Sequence, residues 1–526
     1  MEALVKQIKK RSEKAFKKLE LYRDLYQRAY KLGMPERDGW YTSESGDRKH
    51  REIYDSNFAD AWERLANALY TGMCPPWATW FQLQPGAQVP QEQEDEVMTL
   101  LQPHGKAIWR ALAGSNFYTS LHSTMIDLIA GTGHLITDDH PEKGLYHMSV
   151  PIYEVGLESN AFGVCGWFWK RKLAGRQVPV EFPGVVLPSD LAASVENRPD
   201  EDVELLTATI ESDDPMYEVK QYVIWEKGNQ ILEIRSFFEN PWASPRWSVL
   251  SGEDWGRGPA LKAEPGAYST NEAAKLMLMA ANISLFGMWL VDSERIAQDT
   301  VQFGAGVTIP VRPSGGMDVG NAMRPLIPST KFDLGQFALE SMQGQTKRAF
   351  YRDNLANVER PNMTATEVME RQALVAQDMG AAYGRLTSEL LQPVLRRVSG
   401  ILARRGSLPP ELRLDGKLVG IQYTSALARA QQYEEVVGMR AFLTDVAGLA
   451  QFDPSARYAI KAAAYARKLA GLTGVDLSVT RSEAEIAIEA QNAAQAEAAL
   501  MQMQGSPEGP LTPDNGMANR DALSDM

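Results

Sequence analysis

The sequence predicts an α+β fold, predominantly α, divided into several subdomains. The chain has 526 residues, too many for one hydrophobic core, and that length corresponds to about three or four domains or subdomains. Most strand patterns fall in one stretch, residues 134–240, flanked by helical patterns instead of alternating with them. Hydrophobic content of 44% and charged content of 23% are those of an ordered protein.

Taken in order, MEALVKQIKKRSEKAFKKLELYRDLYQRAY places Leu4, Ile8, Phe16, Leu19 and Tyr22 near helical spacing among lysines and arginines. It has no continuous apolar run of the signal-peptide kind. We read residues 1–41 as an amphipathic surface helix, with contact to a membrane surface or nucleic acid as the second reading. Residues 56–70 and 93–113 read as helices, joined through TGMCPPWATWFQLQPG, a packed turn leading into a short strand. A helix over 118–130 stops at Gly131-Thr132-Gly133. HLITDD, YHMSVPIYEVGL, ELLTATIE and EVKQYVIWEKGNQILEIRSFF are β-branched and aromatic, with a hairpin turn at Gly228-Asn229.

GEDWGRGPALKAEPGAYS, from Gly252, reads as a glycine-rich loop. Ser269 and Glu272 then have capping-box spacing and open a helix, apolar almost all round, that runs to Val291. Residues 292–333 are irregular and short-stranded, and 335–354 is an amphipathic helix. NLANVERPNMTATEVMERQALV, residues 354–375, joins two helical patterns through a charged loop. Thr364 and Glu367 form a second capping box, opening a helix from 366 to about 404 that Pro393, Gly380 and Gly384 can bend. An α-rich region over 425–472, a helix over 481–503 and a Gly/Pro/Asn/Asp-rich tail from 505, expected to be disordered, complete the chain.

The net charge of −13 argues against tight nucleic-acid binding, which calls for a basic stripe, but permits loose contact with a sliding polyanion. Two cysteines, Cys74 and Cys165, imply no disulfide framework and assembly in a reducing compartment. LDGKLVG lacks the first glycine and the hydroxyl of a phosphate loop, and GTGHLI lacks the third glycine of a dinucleotide loop, so no ATP hydrolysis is expected. His134, Asp138, Asp139, His140 and His147 match no standard ligand spacing; the polar face of a hairpin gives the same composition, and no metal or other cofactor is expected. Asp200, Glu218 and Lys220 follow the PD…ExK order of Mg²⁺ nucleases, with Glu218 and Lys220 on one strand face. The charged outer face of an antiparallel hairpin explains them equally, and we favour it. The apolar stretch 273–291 carries one charge, Lys275, and is long enough to cross a bilayer. Asn282 and Ser284 near its middle favour burial inside protein on every side.

The order of GEDWGRGP (252–259), ERPNMTATEVMERQ (359–372) and LTSELLQPVLRRV (386–398), supported by TGMCPPWATWFQL (71–83) and AGTGHLI (130–136), resembles the portal, or head–tail connector, proteins of short-tailed bacteriophages. The similarity spans about residues 42–504. It implies a non-enzymatic protein of the virion, assembled in the host cytoplasm into a ring, of twelve copies in this family, at one capsid vertex. Double-stranded DNA would pass weakly and non-specifically through its channel during packaging and ejection. The other implied partners are a terminase ATPase, tail adaptor proteins, and the major capsid and scaffolding proteins; no membrane is implied. The family's parts map as a wing (42–265), first stem helix (266–291), clip (292–334), second stem helix (335–354), tunnel loop (355–363), a further wing helix (364–408) and a crown (409–504). The N-terminal helix (1–41) and the tail (505–526) lie outside these parts. Within that frame Val358, Glu359, Arg360 and Asn362 would face DNA from the tunnel loop. Lys347, Arg348 and Arg352 would line the channel, or else make outward or intersubunit ion pairs, for example with Glu340. Leu276, Leu278, Phe286 and Trp289 would pack against ring neighbours, and residues 307–318 would be the docking surface. A ring needs one heterologous interface per subunit, and a helix caught between neighbours has no solvent face.

Overall fold

The computed structural model describes residues 2–40, 49–90, 93–140, 143–286, 288–292, 308–311, 323–326, 332–351, 379–409, 418–425, 433–453 and 460–473, with residues 414, 428, 455 and five positions between 488 and 495. The chain forms two compact units, Met1–Glu435 and Val436–Met526.

In the first unit α1 (Glu2–Gly33) buries Val5, Ile8, Ser12, Ala15, Leu19 and Tyr26, a three-four spacing that keeps one face inward. Its N-terminal half covers an antiparallel five-stranded meander, taken in chain order as β4 (Val155–Asn160), β5 (Gly163–Ala174), β6 (Asp202–Glu211), β7 (Val219–Trp225) and β8 (Gln230–Phe237). The period of two along β6 sends Leu206, Ala208 and Ile210 to Val5, Ile8 and Ala15 of α1. Val203 and Leu205 go to the opposite face, where Val178, Phe182 and Leu191 from the β5–β6 connection cover them. The hairpin expected at Gly228-Asn229 is present, with Asn229 in the left-handed region at φ 52°.

The C-terminal half of α1 enters a larger core with α2 (Asn57–Met73), α3 (Glu94–Ala113) and α4 (Phe117–Ala130). Tyr26, Tyr30, Phe58, Trp62, Trp80, Phe117, Trp242 and Trp255 are all fully buried there. A small sheet of β2 (Leu135–His140), β3 (Gly144–Ser149) and β9 (Trp242–Ala243) lies against it. The short strand expected after the double proline is β1 (Phe81–Pro85), and its partner is β13 (Val419–Tyr423), antiparallel from Phe81–Tyr423 to Pro85–Val419. The pairing ties residues 419–423 to the first unit, which runs to Glu435.

Two corrections concern the glycine-rich loop and the apolar helix. α7 runs Pro259–Phe286, so the loop ends at Pro259, a residue suited to the first helical turn because it needs no N–H partner. Ser269 lies well inside the helix and its Oγ donates to the Pro265 carbonyl at 3.1 Å, so it caps nothing. The helix also stops before Val291. Met288–Asp292 is β10, the central strand of a small sheet, parallel to β11 (Thr308–Val311) and antiparallel to β12 (Met323–Leu326). Trp-Leu-Val favours a strand, and Gly287 is a poor helix residue. α8 (Phe332–Ala349) returns alongside α7.

The helix expected over 366–404 is described from Met379 onward. It is α-helical over Gly380–Leu386, π-helical over Thr387–Leu391 and α-helical again over Gln392–Arg404. Pro393 has no N–H for the preceding turn, which widens instead. The second unit takes in all but the first three residues of the helix Tyr433–Leu449 and the whole of the helix Ala462–Thr473, and the Tyr465 hydroxyl donates to the Met439 carbonyl at 2.7 Å.

Candidate functional site

No helix among the described residues is long and apolar enough to cross a membrane. The first half of α7 is docked. Ala260, Ala263, Ala267 and Ala274 are buried, and Asn271 accepts from the backbone N–H of Tyr54 and Asp55 while donating to Glu52 O. Beyond Ala274 nothing described on this helix is buried. Leu276 is 62% exposed and Leu278 53% exposed, Met279 is exposed beside them, and Phe337 of the returning helix is exposed as well. Leaving this much apolar area in water is unfavourable at about 25 cal/mol per Å². The backbone of Phe286 is the last turn of α7, whereas Trp289 lies on β10 opposite Thr308 and Pro325. The expected interface set is therefore split between a helix and a strand; the side chains of Phe286 and Trp289 lie outside the described residues.

α8 is anchored at its C-terminal end. Thr346 and Phe350 are buried, and Phe350 meets Phe58 edge-to-face with centroids 5.5 Å apart. Tyr351 has a φ of 58° and packs on Trp247, which ends the helix. Lys347 is half-buried and Arg348 exposed. Glu340, the acid considered as their partner, accepts from Gln336 of its own helix at 3.0 Å. Arg352, Val358, Glu359, Arg360, Asn362, Thr364 and Glu367 lie outside the described residues, as does the tail from 505. Phe350 and Met379, on either side of that stretch, are both buried, and Tyr351 beside it is half-buried.

The residues that looked like chemistry are structural. Asp200 precedes β6 and pairs with Arg176, while Glu218 precedes β7 at the far end of β6. A ten-residue strand separates the two carboxylates by about 30 Å, so no PD…ExK site forms. Glu218 instead pairs with Arg396. Asp138 binds Arg235 and Arg397, Glu239 binds Arg397 and Arg404, and Asp139 binds Arg405. These acids form one side of a row that fastens the helix Gln392–Arg404 to the sheets. Glu389, in the π-helical turn, accepts from the backbone N–H, Nε and Nη2 of Arg246. No group of three or more metal-ligating side chains occurs among the described residues.

His134 and His147 are wholly buried. His134 Nδ1 contacts Ser244 Oγ at 2.9 Å and its ring stands edge-on to Trp255; His147 Nδ1 contacts Thr137 Oγ1 at 3.0 Å. Burial pushes both imidazoles down to about 3. Because the folded value lies below the ordinary 6.5, their contribution to stability is complete above pH 6.5 and is lost as pH falls toward 3. Each histidine is expected to remove about 1.4 kcal/mol per pH unit in that window. Urea midpoints between pH 7 and pH 5 check this, and His147→Gln should roughly halve the slope.

The glycine motifs define a contact that spacing alone does not reveal. Gly258 N–H donates to Ala130 O at 2.9 Å, Trp247 N–H to Gly131 O at 2.8 Å, Gly133 N–H to Pro245 O at 3.0 Å, and Gly256 N–H to Thr132 Oγ1 at 2.9 Å. Tyr26 adds its hydroxyl to Gly256 O at 2.5 Å. A Cβ on Gly131, Gly256 or Gly258 would fall well inside van der Waals contact with the facing backbone. AGTG and WGRGP are thus two halves of one backbone-to-backbone lock at the base of α7.

A model of the family described as "Bacteriophage head to tail connecting protein" matches residues 5–480. The probable portal protein of Bordetella phage BPP-1 is 23% identical over 468 residues, 82% of this chain and 80% of that one. The portal protein of Salmonella phage epsilon15 is 24% identical over 490 residues, covering 87% and 85%. A chain from the virion of a native gene transfer agent is 12% identical over 77% of this chain and 91% of its own, with a TM-score of 0.34. With the family model matched across nearly its whole length, the chain belongs to the bacteriophage head-to-tail connecting proteins, structural connectors and not enzymes.

Proposed function

We propose that this connector closes into a ring, of twelve copies, at one capsid vertex, and that double-stranded DNA passes through its centre during packaging and ejection. The observation that carries the reading is the apolar distal half of α7. Leu276 and Leu278 face water in one copy, and a circle of copies shelters them on every subunit at once. Phe286 and Trp289 complete the subunit interface in this reading. Residues 266–291 and 335–354 form the stem, residues 292–334 with strands β11 and β12 form the clip, and residues 42–265 with 364–408 form the wing. The crown covers residues 409–504 in this reading, and the second unit begins within that span, at Val436.

Lys347, Arg348 and Arg352 line the channel, and Val358, Glu359, Arg360 and Asn362 form its constriction. Buried Phe350 and Met379 hold the two sides of that segment in the core. A sparse basic lining suits passage, because each added phosphate contact strengthens binding through counterion release and would hold the DNA back. Nothing found in the residues supplies a motor, so a separate terminase ATPase docks on the clip, with residues 307–318 as the surface, and tail adaptors follow it. Capsid and scaffolding proteins meet the outside of the ring.

Negative-stain imaging of the purified chain tests the reading: rings with a central hole are expected, and monodisperse monomers at high concentration would end it. Arg348→Glu with Arg352→Glu is expected to leave rings intact and to change the length of DNA packaged or retained. Unchanged packaged length would remove these arginines from the channel.

A further inference from the structure

The opening helix carries a charge pattern that the channel does not use. Residues 2–18 hold seven cations (Lys6, Lys9, Lys10, Arg11, Lys14, Lys17 and Lys18) against Glu2 and Glu13, a local charge of +5 in a chain of net −13. Three of the seven are engaged inside the molecule. Lys9 donates to Glu226 O at 2.7 Å and to Asn229, Arg11 pairs with Glu158 at 2.8 Å, and Lys18 pairs with Asp254 at 2.5 Å. The other four, Lys6, Lys10, Lys14 and Lys17, are all exposed and none pairs with an acid among the described residues. Their spacing of four, four and three residues confines them to about 80° of helix arc over roughly 16 Å. The opposite face, Val5, Ile8, Ser12 and Ala15, is buried against the meander.

That burial limits what the stripe can recognise. An interfacial membrane helix uses its apolar face to enter lipid, and here that face is occupied by Phe168, Leu206, Ala208 and Ile224. What remains is a line of ammonium groups at roughly 6 Å intervals, set on a fixed helix. Evenly spaced point charges match a partner that is itself evenly charged and needs no shape complementarity, which is a phosphodiester backbone.

We propose that the Lys6–Lys10–Lys14–Lys17 stripe of α1 is a second, sequence-independent contact for double-stranded DNA, on a surface separate from the channel. Four phosphate contacts give a slope of about −3.6 for log affinity against log salt. Affinity per site is then expected to fall about a hundredfold between roughly 50 and 200 mM salt.

The test uses covalently closed circular duplex, which cannot be threaded through a closed ring, so it reports contacts outside the channel whether or not the channel reading is right. The full-length wild-type chain is expected to bind the circle at low salt. The combination Lys6→Gln, Lys10→Gln, Lys14→Gln and Lys17→Gln is expected to bind at least tenfold more weakly with a flatter salt slope, while its thermal melt stays at the wild-type value. Failure of the wild type to bind the circle, or equal binding by the quadruple variant, overturns the proposal. Polyglutamate or anionic vesicles binding at the stripe in place of DNA would overturn it too, assigning the surface to an acidic protein or a membrane.

Discussion

Leu276→Glu combined with Leu278→Glu is expected to give a folded chain that no longer assembles into rings. Both side chains are more than half exposed in the single chain, at 62% and 53%, so the fold of one copy loses little when they become charged. In a ring each would be removed from water, and burying a leucine contributes about 1.5–3 kcal/mol. Just over half of each side chain remains to be covered, so losing two of them weakens each subunit contact by about 2–3.5 kcal/mol, roughly thirtyfold to a few hundredfold in association constant. Burying an unpaired carboxylate adds a further penalty. Every subunit of a closed ring carries the same contact, so the loss recurs around the circle. Light scattering coupled to gel filtration should show monomers with a melting temperature equal to that of unassembled wild type. Rings of normal size from this variant would place the interface elsewhere.

Gly256→Ala is expected to act on the fold itself. The added methyl meets the Gly131 carbonyl inside van der Waals contact, and the obstruction is main chain on both sides, which has no rotamer to yield. The lock joins the end of α4, the approach to β2, the segment after β9 and the start of α7, with Tyr26 of α1 bonded to it. Opening it separates hydrogen-bonded backbone groups that are buried, at about 1–3 kcal/mol each when left unpaired. A loss of at least about 3 kcal/mol, or insoluble protein, is the expected outcome. Gly384→Ala is the matched control. Its Cβ would meet nothing within 4 Å and it lies in a helix, so a gain of about 0.5–1 kcal/mol is expected. Urea unfolding of the two variants separates a packing lock from a general intolerance to losing glycine.

Much of this fold is legible from local pattern. α2, α3 and α4 announce themselves by apolar spacing, and β6 and β7 by alternation and β-branched residues. What local pattern misses is partnership at a distance. Val419–Tyr423 gives little sign of being a strand, because its register is set by Phe81–Pro85 far back in the chain. The glycines of AGTG and WGRGP look like turns in isolation, and only the folded chain shows that each exists to admit the other. The same blindness makes Asp200, Glu218 and Lys220 resemble a nuclease: linear order suggests proximity, and the antiparallel course of β6 and β7 puts the two acids at opposite ends. Ser269 and Glu272 carry the right spacing for a cap, but Pro259 starts the helix earlier. The exposed leucines of α7 are a different case, since their all-round apolar pattern is visible in sequence and the single chain leaves them uncovered.

The pairing of Phe81–Pro85 with Val419–Tyr423 also sets a clock on biosynthesis. At about 5–20 residues per second, a ribosome needs roughly 20 s to a minute to make the polypeptide between those strands. Until then Trp80 and Phe81, both fully enclosed in the finished molecule, sit beside an open strand edge. A truncated nascent product would therefore carry an unsealed seam and be poorly fitted to join its full-length sisters.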